Sequence, residues 1–181
     1  MIGELHAELR RLLRGLNGQT GIFLGCFGVL AAQLFWLSLK GVLPAPSALP
    51  LFTALGATLA AHSYFLAQRG LLVWIHAVDL RLGPGSGVAL LEAAAMPEKG
   101  EAAEPGIGPG AGEFKPSKEA ALPGILRRGR KLSWMAPLLL AFSAAVFSLH
   151  GLSGAALACG AGAFLSSLEA LSLQGLMKEA Y

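Results

Sequence analysis

Charge is the scarcest ingredient of this chain. Only 14% of its 181 residues are Asp, Glu, Lys or Arg, against about a quarter in soluble domains. Charge is missing altogether from residues 15–39, 41–68 and 132–168, runs of 25, 28 and 37 residues. Cysteine is nearly absent too, and the two present exclude a disulfide-stapled scaffold. So low a share of charged residues also excludes a coiled coil. With 54% hydrophobic residues and a mean hydropathy of +0.59, the chain is neither disordered nor an ordinary soluble enzyme.

A helix needs about 20 apolar residues to cross roughly 30 Å of hydrocarbon. The first two uncharged runs hold one span each, at residues 21–39 and about 49–68. The third holds two, at 133–149 and about 152–168. Gly151 and Ser153–Gly154 supply the turn between the last two, and Pro44, Pro46 and Pro50 interrupt helix between the first two. The expected fold is an all-α integral membrane protein of four transmembrane helices in two hairpins, with amphipathic cytoplasmic helices. Pro137 is expected in the first turn of its helix, where proline is tolerated.

Thirteen of the 14 Lys and Arg residues lie before the first span, between the second and third, or after the fourth; only Lys40 lies on the other side. The positive-inside bias therefore predicts both termini and the central segment in the cytoplasm. The first span lacks an A-x-A-like cleavage site and has an immediate partner, so it reads as a retained span rather than a signal peptide. Short outer loops and Ala/Leu/Gly-rich spans point to a bacterial inner membrane. The net charge of +3 is what cytoplasmic flanks carry, and no nucleic-acid partner is implied.

Four segments follow. Residues 1–17 form an amphipathic helix with Ile2, Leu5, Leu9, Leu12 and Leu16 on one stripe. Residues 20–82 hold the first hairpin and a helical extension in which Leu71, Ile75, Val78 and Leu82 recur at helical spacing, either continuing into the cytosol or bending at Gly70. The two stripes are suited to covering each other or the lipid interface. Residues 83–131 are a flexible linker: 83–124 contains nine Gly and six Pro, with a helix-like island at 88–96. Its glycines are not a phosphate loop, because no Gly-Lys-Ser/Thr follows a strand. The linker ends in Arg127, Arg128, Arg130 and Lys131, which suit anionic lipid headgroups. Residues 132–181 hold the second hairpin and a short tail.

Spans associate in lipid through close backbone approach, so small residues mark packing faces. The candidates are Gly21 with Gly25, Gly28 with Ala32, Gly56 with Ala60, and Gly154 with Ala158 and Gly162. The fourth span also carries Ala155, Cys159 and Ala163. Two small faces predict that this span is central or at an oligomer interface.

Candidates for chemistry are few. Gln33, His62 and Glu169 are the intramembrane polar candidates, Glu169 falling close to the cytoplasmic surface. His62 lies ~9 Å inside the end of its span with no second histidine at its depth, which excludes a bis-histidine haem. Cys26 and Cys159 fall at different depths and read as packing residues. No triad, paired buried carboxylates or metal set can be assembled, so neither an enzyme nor a cofactor is expected.

Residues 13–34, LRGLNGQTGIFLGCFGVLAAQL, with the amphipathic helix before them, loosely resemble small membrane effectors of nucleotide-signalled anti-phage systems. The resemblance covers barely a fifth of the chain and contains no signature residue, and the second hairpin departs from the two-span pattern of those effectors. The expected function is a non-enzymatic accessory, structural or assembly subunit of a membrane complex. A homo-oligomeric, pore-forming or membrane-perturbing effector is the alternative, and a small transporter or channel the third. The partners implied are anionic lipids and either another membrane protein or a second copy.

Overall fold

The computed structural model describes residues 2–41, 48–95 and 124–179. Five α-helices account for them: α1 (Ile2–Lys40), α2 (Ala48–Leu82), α3 (Ser86–Ala95), α4 (Gly124–Leu149) and α5 (Ser153–Glu179). All but α3 are long and apolar enough to cross a membrane.

α1 has 39 residues, ~58 Å at 1.5 Å each, and so exceeds the hydrocarbon thickness by nearly half its length. The break expected after residue 17 does not occur. Thr20 turns its hydroxyl back onto the Leu16 carbonyl (2.8 Å), and Leu9, Leu16, Phe23, Leu30 and Leu37 continue one buried stripe through the polar stretch. Glycine weakens a helix but, unlike proline, leaves its hydrogen bonds intact. α2 likewise continues as unbroken helix past Gly70 to Leu82.

The contacts between these two helices run in opposite order along the chain. Glu8 accepts a hydrogen bond from the Trp74 indole (3.3 Å). The rings of Phe23 and Tyr64 lie 5.1 Å apart, and Gln33 donates to the Thr53 hydroxyl (2.8 Å). The amphipathic stripes are therefore covered over most of their length: Leu5, Leu9, Leu16, Leu71, Trp74, Ile75 and Val78 are buried, whereas Leu82 is exposed.

The Gly83–Gly87 stretch is an ordered turn rather than flexible linker. Gly83 and Gly85 take φ of +105° and +84°, values that only glycine adopts without strain. Asp79 fixes the turn at both ends, its carbonyl accepting from Gly83 N–H (3.0 Å) and its carboxylate from Gly87 N–H (2.7 Å). This caps α3 and folds it back onto α2 and α1. Residues 96–123 of the expected linker lie outside the described residues, as do Pro44 and Pro46.

α4 begins at Gly124, nine residues before the expected span, so the basic cluster belongs to a helix. Pro137 consequently sits in the helix interior rather than in its first turn. Proline removes one backbone bond there, which membrane helices tolerate where neighbouring groups compensate. At its other end α4 closes on Gly151 at φ +73°. Gly151 N–H reaches Ser148 O (3.1 Å) and Leu152 N–H reaches Phe147 O (2.9 Å), the Schellman pattern.

The central helix is α2, which touches each of the other four; α5 touches only α4 and α2 among the described residues. The central helix is therefore the second span; of the two places expected for the fourth, central or at an oligomer interface, the contacts within the chain bear only on the first and do not support it. α2 carries one long buried face on which the wholly buried Ala54, Ala57 and Ala61 are followed, at spacings of three and four, by Tyr64 and Gln68.

Candidate functional site

Besides the Glu8–Trp74 bond, three sets of polar side chains bridge the helices among the described residues, and each includes a residue of α2. The first is Thr53 with Gln33. The Gln33 amide nitrogen is used, but its Oε1 is buried without a hydrogen-bond partner among the described residues. Gln33 thus pairs with the neighbouring α2.

The second set joins α2 to α4. The Gln68 amide donates to the Tyr64 hydroxyl (2.7 Å), and its Oε1 accepts from the Ser133 hydroxyl (3.0 Å). Ser133 is also within 2.9 Å of the Gly129 carbonyl. All three side chains are buried. Gly129 leaves room for this arrangement, since a Cβ there would push the Gln68 amide out of its present position. Sequence reading overlooked this network; the available signal was an amide, a phenol and a hydroxyl near the ends of two spans. A double-mutant cycle of Gln68→Leu and Ser133→Ala should give a coupling of about 0.6–1.7 kcal/mol. Unfolding in mixed detergent–denaturant micelles would measure it.

The third set joins α2 to α5. The Nδ1 of His62 contacts the Glu169 carboxylate across 107 residues of sequence. Just above this level the two helices meet where a Cβ on Gly162 would overlap Thr58. Here lies a cleft of about 270 Å³ whose polar walls are His62, Arg69, Glu169 and Ser172. Phe65, Leu66, Leu168 and Leu173 complete it. Arg69 is seven residues beyond His62, two turns along the same face at ~10 Å, and Ser172 is one turn beyond Glu169. The His62 side chain is 55% exposed and that of Glu169 25%, so the pair opens outward from the bundle. A carboxylate can only accept, so Nδ1 carries the proton it shares with Glu169 and Nε2 is left for another partner. Sequence reading named His62 and Glu169 separately; Arg69 entered only as a topology signal and Ser172 not at all. No group of three or more metal-ligating side chains occurs among the described residues.

The small residues distribute unevenly. Gly162 and Ala60 are buried, Gly56 and Ala158 half-buried, and Gly154 exposed. Gly21, Gly25, Gly28 and Ala32 are all exposed, on the side of α1 opposite its buried stripe. A Cβ added to any of these three glycines would meet nothing within 4 Å. Cys26 is half-buried and Cys159 buried, both unpaired by disulfide. In the basic cluster Arg130 and Lys131 are exposed, whereas the Arg127 and Arg128 side chains lie outside the described residues.

No family model matches the chain, nor does any curated protein or solved structure at a significant level. What the structure establishes is a helical protein with four helices able to cross a membrane and, among the described residues, a polar cleft that opens outward between α2 and α5.

Proposed function

We propose that the chain is a multi-pass protein of the bacterial inner membrane, two helical hairpins with both termini cytoplasmic. In this reading it serves as a non-catalytic accessory, structural or assembly subunit of a membrane complex. The orientation is supported by Arg14, Arg69, Arg130 and Lys131, all exposed toward one end of the bundle, with Lys40 at the other.

The single observation that carries the association is the outward face of α1. Gly18, Gly21, Gly25, Gly28 and Ala32 follow one another along it, all exposed. Each glycine costs a helix about 1 kcal/mol relative to alanine, and nothing inside this bundle uses the space. A small, flat face at bilayer depth is what another span needs for close backbone approach.

Gentle solubilisation through a terminal tag, followed by native mass spectrometry, tests the reading. The expected result is a stoichiometric second membrane protein, lost at least tenfold in a Gly25→Leu, Gly28→Leu variant whose own α1–α2 packing lies on the opposite side. A homo-oligomer broken by the same substitutions would replace the subunit reading with the self-assembling effector. A monomer without partners would overturn both.

A further inference from the structure

We propose that the cleft between α2 and α5 binds the phosphate headgroup of one membrane phospholipid, with Arg69, Ser172 and His62 as its polar partners. The proposal rests on reading the bundle as membrane-spanning, with the Arg69 end at headgroup level.

The order of groups along the cleft is that of an amphiphile. Arg69 and Ser172 lie at the end where Arg130 and Lys131 are also exposed, since Gly129 packs on Gln68 at that level. Away from it, Leu59 and Leu66 on α2 and Leu165 and Leu168 on α5 form an exposed apolar surface. A guanidinium presents paired N–H donors that fit two phosphate oxygens, and the Ser172 hydroxyl adds a third donor.

His62 supplies the argument that the cleft is occupied. More than half of its side chain is exposed within a helix otherwise apolar enough to cross a membrane, and a polar group left uncovered in hydrocarbon is costly. Glu169 covers Nδ1 alone. His62 offers its Nε2 as a further polar contact, and Arg69 supplies the positive charge that meets the phosphodiester's negative one. The volume, about 270 Å³, lies just below the range of drug-sized ligand sites, roughly 300–1,000 Å³, a size for a headgroup rather than a whole lipid.

The test is native mass spectrometry of the full chain in detergent, titrated with phosphatidylglycerol, with diacylglycerol of the same acyl chains, and with inorganic phosphate. One phosphatidylglycerol should remain bound, diacylglycerol should not, and inorganic phosphate should bind at least tenfold more weakly. Arg69→Gln should reduce lipid binding at least tenfold, and Ser172→Trp, which fills the cleft without altering charge, should do the same. Arg81→Gln and Lys131→Gln serve as controls of equal charge change. Equal losses in the controls would mean diffuse attraction to the basic end and would overturn the site. Diacylglycerol binding as well as phosphatidylglycerol would reduce it to an apolar groove. Inorganic phosphate binding as tightly as the lipid would make free phosphate the ligand. The measurement needs neither a protein partner nor a defined orientation, so its failure leaves the subunit reading standing.

Discussion

Gly87→Val is expected to undock α3 from α2. A Cβ at this position would lie 2.7 Å from the Ile75 carbonyl oxygen and 3.0 Å from the Ile75 Cα. Both are backbone atoms, so no side chain can turn aside and the helices must separate. Separation also breaks the Gly87 N–H bond to Asp79 that caps α3. Overpacking of this kind costs about 1–3 kcal/mol. With only ten residues, α3 is too short to persist unsupported, since isolated helices below about 12 residues are marginal in water. Hydrogen exchange across residues 88–94 should therefore accelerate about 10–100-fold while α4 and α5 keep their protection. Unchanged exchange in Gly87→Val would mean that the close approach at Ile75 does not hold α3.

Gly162→Val should weaken the contact between α2 and α5. Its Cβ would overlap the Thr58 hydroxyl and lie 3.1 Å from the Thr58 Cγ2. Thr58 cannot swing away freely, because a β-branched side chain is stiff and its hydroxyl already donates to the Ala54 carbonyl (2.9 Å). A loss of about 1–3 kcal/mol is expected, read from unfolding in mixed micelles. Thr58→Ala in the same chain should recover most of it. Gly154→Ala and Gly160→Ala, where an added Cβ meets nothing, should be neutral or slightly stabilising. If the alanines at 154 and 160 cost as much as valine at 162, the α2–α5 register described here would be wrong.

These two glycines show which parts of the molecule could be read in advance. The four long helices announce themselves because Lys and Arg cannot sit in hydrocarbon, so their absence from three runs marks the spans without knowledge of any contact. The stripes of residues 5–16 and 71–78 were legible for a similar reason, since helical spacing gives a buried face whichever partner covers it. Helix ends were harder. Asp79 reads as an ordinary surface acid until the turn at Gly83 brings it onto Gly87, so glycine and proline content alone made the turn look like linker. Pro137 was misplaced because Arg and Lys are good helix formers, and the helix ran back through the basic cluster. The cleft was legible only in pieces. His62 and Glu169 are both visible as polar residues near span ends, but no periodicity connects side chains 107 residues apart. Their meeting depends on α5 lying against α2, which small residues permit on several faces at once.

The unbroken run of α1 gives the molecule a lever. From Gly28 to Ile2 is about 39 Å of continuous helix, clamped to α2 at Phe23 and again at Glu8. A neighbour that tilts α1 by about 5° at the glycine face would displace its Ile2 end by roughly 3 Å along that arm. A joint at Asn17–Gly18 would have absorbed such a motion locally. Without one, α1 and α2 swing together, and the short helix seated across both of them is carried along.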